Sequence, residues 1–216
     1  MTPEPTNARS RRTRAALLDA ARALLEQDGP EALTMGRIAE RAGVSRRAVY
    51  LHVDSRVDLL LALFDHVSEV EGLVASLQRV DDAPDAGAAL TAWATHVATF
   101  HPRVLAVDTA LRRVRDTDHD AAAHVARVDD DQLAACRRVA DRLAADGVLA
   151  DGWPAPRAAE LLWSLLAPDH LARLLNDRGW TPSEYADRLA TVLHATLVQP
   201  DAASARASAT GRPPRR

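Results

Sequence analysis

Arg46, Arg47, Tyr50 and His52 fall within seven residues, and no nucleophile motif or phosphate-cradling glycine loop accompanies them. What such a group does well is hold nucleic acid. Arginine makes paired hydrogen bonds to the major-groove edge of guanine. Tyrosine and histidine suit phosphate contacts, which fix position without reading sequence. Ser45 is a helix N-cap by type and place, so the two arginines open a short helix expected to run to about Leu51, with Val49 as its apolar anchor. The N-terminal half of a recognition helix is the part that meets base edges.

The elements that position this group are legible on both sides. Thr34 is suited to cap a preceding helix, and Ile38, Ala39 and Ala42 lie on one face of it at helical spacing. Gly43 follows, where a left-handed glycine stops a helix without steric cost, and Val44 turns back toward a small core. Ser55 with Asp58 reads as a capping box for the next helix, and Arg56 at its start is placed to reach the DNA backbone. Two helices around a glycine also serve as plain packing units, and an Arg-Arg pair also serves as a solvated face. The small Ala39, then Gly43 four residues on and Val49 six beyond that, favour the DNA-reading form. Arg9, Arg11, Arg12 and Arg14 cluster where the first helix starts. They are either a solvated basic end or phosphate contacts, and Arg12 is taken as a DNA contact.

The stretch from about Arg12 to Val67 resembles the DNA-binding domain of the TetR family of bacterial transcriptional regulators. The likeness rests on Leu-Thr-Met-Gly-Arg-Ile-Ala-Glu-Arg-Ala-Gly-Val-Ser at 33–45, Val-Tyr-Leu-His-Val at 49–53 and Ser-Arg-Val-Asp-Leu-Leu at 55–60. The family usually has lysine where this chain has Arg56, a change that keeps the charge. The resemblance implies a three-helix head with its recognition helix at 46–51, a homodimer, and an effector pocket in a variable C-terminal domain. A looser likeness covers Ala158–Val198, including Arg-Gly-Trp-Thr-Pro-Ser-Glu-Tyr at 178–185, and implies the closing helix pair that usually forms the dimer interface.

Composition bounds the rest. The 216 residues are 47% apolar and 4% aromatic, alanine is abundant, and no alternating β-branched run reads as a strand. The expected fold class is all-α: a three-helix helix-turn-helix domain followed by a helical effector-binding and dimerisation domain. One cysteine, Cys136, excludes an internal disulfide framework, fits a cytoplasmic protein and reads as a small buried apolar residue. Nothing approaches a membrane span or a signal peptide. The net charge of −3 is unevenly spread: 10 arginines against 8 acids over 1–60, 13 against 21 over 61–200, and 4 against 1 in 201–216. An acidic body is repelled by phosphate, so DNA is expected to meet the N-terminal segment only.

Along the chain the expectation is a disordered arm over 1–9 and a DNA-binding domain over 10–55. An effector-binding and dimerisation domain follows over 56–200, opening with a connecting helix at 56–77, and then a disordered tail over 201–216. Further helices are expected at Ala86–Phe100, Arg103–Arg115, Ala121–Asp146, Pro156–Asn176 and Pro182–Val198, with His101-Pro102 and Asp151-Gly-Trp-Pro as interruptions. Trp93, His96 and Phe100 share a face with Val97. With Leu111, Trp163, Leu166 and His170 they are the candidate lining of an apolar effector pocket, although such a stripe is also ordinary core. Leu161 and Leu165 form one late stripe, and Tyr185, Leu189, Val192, Leu193 and Thr196 another. Both are candidate dimer contacts, and both could equally face the chain's own core. His119 and His124 among aspartates are poorly spaced for a metal, and no metal or cofactor is expected.

The reading that follows is a ligand-responsive DNA-binding regulator, a repressor rather than an enzyme. It would bind a palindromic double-stranded operator as a homodimer and be released by a small molecule. The alternatives are a small-molecule carrier or enzyme with an incidental helix-turn-helix, and an architectural DNA-binding protein without an effector.

Overall fold

The computed structural model describes residues 8–200, and among them the protein is all-α. The helices are α1 (Ala8–Asp28), α2 (Met35–Ala42), α3 (Arg46–Tyr50), α4 (Arg56–Val70), α5 (Leu73–Asp81), α6 (Ala86–Val114), α7 (His119–Ala145), α8 (Ala155–Ser164), α9 (Pro168–Ala172) and α10 (Pro182–Leu197). A 3-10 turn at Pro30–Ala32 follows α1, and a π-helical turn at Arg173–Asp177 follows α9. Of the expected arm only Ala8 and Arg9 are described, and they open α1; the expected tail lies outside the described residues.

Three helix boundaries differ from expectation. The helix expected over 56–77 is two helices, because Gly72 takes φ 72° and its N–H returns to Glu69 O at 3.1 Å, a left-handed stop between α4 and α5. The break expected at His101-Pro102 is absent: α6 runs through Pro102. An interior proline costs about 3 kcal/mol. Val97, Ala98, Phe100, Val104 and Val107, buried on either side of it, offset that cost. The helix expected over 156–176 stops at Ser164 and restarts at Pro168, whose fixed φ suits the first turn of α9.

The chain forms two compact units. Among the described residues, one holds the chain up to Gly72 together with Arg103–Val128; the other holds Leu73–Pro102 and the chain from Asp129 onward. The first is built on Leu17, Leu18, Ala21, Leu24 and Leu25 of α1, Ile38 and Ala39 of α2, Val49 of α3 and Leu59, Leu60 and Leu63 of α4, all buried. Each such leucine contributes about 1.5–3 kcal/mol. The second is built on Leu90, Trp93 and Val97 of α6, Cys136, Val139 and Leu143 of α7, Leu162 of α8 and Tyr185, Leu189 and Leu193 of α10. An isolated antiparallel bridge, Leu149 to Val198, ties the segment after α7 to the end of α10.

Candidate nucleic-acid interface

The turn between α2 and α3 is set by local chemistry. Thr34 Oγ1 accepts from Arg37 N at 3.3 Å and Ser45 Oγ from Ala48 N at 3.2 Å, so both helices are capped by the residues expected to cap them. Gly43 adopts φ 68°, ψ 31°, and the N–H groups of Gly43 and Val44 return to Glu40 O and Ala39 O. Ser55 caps α4 through Asp58 N at 2.9 Å. Asp58 replies not to Ser55 but to Asp54 N, so the expected box is displaced by one residue.

Val49 is fully buried and anchors α3, while Arg46, Arg47 and Tyr50 are exposed on it. Arg46 Nη2 lies 3.5 Å from Tyr50 Oη, with the guanidinium over the ring at 5.9 Å from its centroid. Other arginines of this unit are engaged within it. Arg37 pairs with Asp28 at 2.5 Å, Arg41 donates to Gln27 at 3.1 Å, and Arg22 pairs with Glu26 and Glu71. Arg14 donates from Nη1 to His52 O at 3.3 Å. Arg12 is exposed on α1. His52 is half-buried, and burial followed by the charge of Arg14 lowers its pKa, which keeps the ring neutral. Arg56 spends a guanidinium N–H on Pro30 O, a role within the fold that the sequence did not suggest. Sequence reasoning also passed over Leu51, which is 71% exposed beside Tyr50. Its signal was present: two residues past Val49 on a helix is the opposite face.

The C-terminal candidates are scattered. Of the seven pocket candidates, Leu111 belongs to the first unit and the other six to the second. His96 and Phe100 are buried and stacked, with centroids 5.4 Å apart, and His96 Nδ1 meets Ser76 Oγ at 2.9 Å. Trp93 and Leu166 lie in the core of the second unit together with Cys136. Burial pushes that thiol up to about 12, so it stays protonated. Trp163 is 38% exposed and His170 is exposed, its ring 6.2 Å from that of Tyr185. An open depression of about 410 Å³, lined by Leu149, Ala150, Asp151, Trp153 and Gln199 among others, contains none of the seven.

The dimer candidates divide by exposure. Tyr185, Leu189 and Leu193 are buried in this chain's own core, and Leu161, Leu165 and Thr196 are half-buried. Val192, 59% exposed, and Trp163 are the large apolar side chains that α10 and α8 leave in solvent. No cluster of three or more potential metal ligands occurs among the described residues, and none of their helices is long and apolar enough to cross a membrane.

Comparison with known proteins agrees with this geometry. Residues 17–63 match the model of the bacterial regulatory proteins of the tetR family. The chain is 38% identical over 109 residues to the HTH-type transcriptional repressor LfrR of Mycolicibacterium smegmatis, a match covering 50% of this chain and 45% of that one. It is 32% identical over 80 residues to the HTH-type transcriptional regulator TtgR of Pseudomonas putida, covering 37% and 38%. The chain thus matches less than half the length of either relative. In fold it is similar to NalD, the secondary repressor of the MexAB-OprM multidrug efflux pump in Pseudomonas aeruginosa, with a TM-score of 0.68 at 21% identity over 90% of this chain and 100% of that one.

Proposed function

We propose that the chain, whose residues 17–63 match the tetR family of bacterial regulatory proteins, is a ligand-responsive transcriptional repressor of that family. Its α3 enters the major groove, Arg46 and Arg47 read base edges, and Arg12, Tyr50 and the capped ends of α2 and α3 hold phosphates. Residues 10–55 are the reading head, and 56–200 carry the effector site and the contacts to a second copy. Two heads related by a two-fold axis read a palindromic site with half-sites about 34 Å, or a multiple of it, apart. Val192 and Trp163, apolar and exposed, are the contacts between copies best supported by their exposure, with Leu161, Leu165 and Thr196 beside them. A small molecule releases DNA only by binding the non-reading conformer more tightly, since equal affinity shifts nothing.

The observation that carries this reading is the contrast on α3. Val49 is buried at its back while Arg46, Arg47 and Tyr50 stand in solvent, and the neighbouring Arg37, Arg41 and Arg56 are spent on partners in the fold. Selection of duplexes from a random double-stranded library at 150 mM salt, followed by footprinting, tests it. A single enriched palindrome supports the reading, and recovery of duplexes without a common sequence rejects it.

A further inference from the structure

Two buried polar atoms of the first unit have no hydrogen-bond partner among the described residues: Ser68 Oγ on α4 and His124 Nε2 on α7. Both side chains belong to residues 8% exposed. The proton on His124 is located by its neighbour. Arg127 Nη2 lies 3.0 Å from Nδ1, and a guanidinium only donates, so Nδ1 is the acceptor and the neutral ring carries its hydrogen on Nε2. That N–H is the unanswered group. The imidazole meets the Phe64 ring edge-on, with centroids 4.7 Å apart and planes at 81°. Ser68 stands one helical turn beyond Phe64, on the same face of α4. One unanswered group thus belongs to a ring that meets Phe64, and the other shares the helix face of Phe64.

A buried donor without a partner costs more than an ordinary hydrogen bond gains, so such groups call for an occupant. We propose that Ser68 and His124 form the polar end of a binding site for an uncharged small molecule with a carbonyl-type oxygen acceptor on an apolar body, Phe64 supplying the apolar wall. The inference rests on the effector-responsive reading above and assigns the acceptor-binding role to residues outside the seven expected ones. Asp65 and Asp108 balance Arg112 and Arg127 around His124, so no net charge there calls for an ionic ligand. Burial, then the charge of Arg127, keeps the ring neutral and so keeps Nδ1 accepting and Nε2 donating.

Acetophenone and α-methylstyrene have nearly the same shape and differ in the carbonyl oxygen, so they probe the site on the full chain. Calorimetric titration should show acetophenone binding about tenfold or more the tighter, because a site built to donate hydrogen bonds rejects the analogue that cannot accept them. His124→Phe and Ser68→Ala should each reduce that preference while hydrocarbon binding persists. In the unsubstituted chain the His124 Nε2–H resonance should shift on adding acetophenone and stay in place with the hydrocarbon, a readout that survives if a variant fails to fold. Equal affinity for the two probes, a preference unchanged by the substitutions, or binding of neither probe would overturn the proposal, the last pointing to a trapped water as the occupant. The regulator reading fails separately: a carbonyl preference with no selected DNA sequence rejects that reading and keeps the site, and a selected sequence with no preference does the reverse.

Discussion

Arg56 donates through Nη2 to the carbonyl oxygen of Pro30, joining the start of α4 to the 3-10 turn after α1. A side chain that sequence position assigns to the DNA backbone is therefore also a fastening of the head. Arg56→Ala should lower stability by about 0.5–1 kcal/mol, the range for an exposed hydrogen bond. Arg46→Ala and Arg47→Ala should leave the melting temperature unchanged and weaken selected-duplex binding by roughly 1–3 kcal/mol each if both read bases. Thermal melts beside binding isotherms separate the two classes; an unaltered melt for Arg56→Ala would remove the fastening role.

Tyr185 is 2% exposed and its hydroxyl has no partner among the described residues, while burial raises its pKa to about 12. Removing an unanswered buried hydroxyl while keeping the ring relieves a desolvation penalty. Tyr185→Phe should be neutral or stabilising by about 1 kcal/mol in urea denaturation. A marked loss of stability would mean that the hydroxyl has a partner in solution.

Val192 and Trp163 carry the proposed contact between copies, and Leu193 is the internal control. Val192→Asp or Trp163→Asp should weaken self-association by about 2 kcal/mol or more while helical content is kept. Leu193→Asp, at a position 1% exposed, should instead unfold the second unit. Light scattering coupled to size exclusion reads the first effect and circular dichroism the second. A dimer untouched by both surface changes would move the interface elsewhere.

His96 is held neutral by burial, assisted by the charge of Arg79, with its pKa lowered from 6.5 to about 4; Ser76, Phe100 and His101 complete its surroundings. Between those values the unfolded chain binds a proton that the folded ring does not. The contribution is therefore fully present above about pH 6.5 and declines as the pH falls toward 4, by up to about 3 kcal/mol. His96→Gln, which keeps a polar group for Ser76, should flatten the dependence of urea midpoint on pH between 7 and 5. The lowered pKa values of His52 and His124 act in the same direction, so a residual slope remains.

Much of the head was legible because its determinants are local. Thr34, Gly43 and Ser45 act on backbone groups within five residues, and the burial of Val49 follows from its spacing. Where the structure departs from expectation, the deciding partner is distant or the local signal is weak. Pro102 reads as a break, yet burial on both sides carries α6 through it. Gly72 was passed over inside an apolar stripe whose periodicity it does not disturb.

By itself the sequence determined the helix periods, the caps, the basic face of α3 and the acidic balance of the body, all set by residue type and short spacing. Tertiary structure decided which arginines are spent, since Arg14 and Arg56 find carbonyls 38 and 26 residues away. It also decided that Tyr185, Leu189 and Leu193 face this chain's own core, and that His124, poorly spaced for a metal, lies buried against Phe64 with an N–H that has no partner among the described residues. Helical periodicity marks which residues share a face; what that face meets depends on the distant elements that pack upon it.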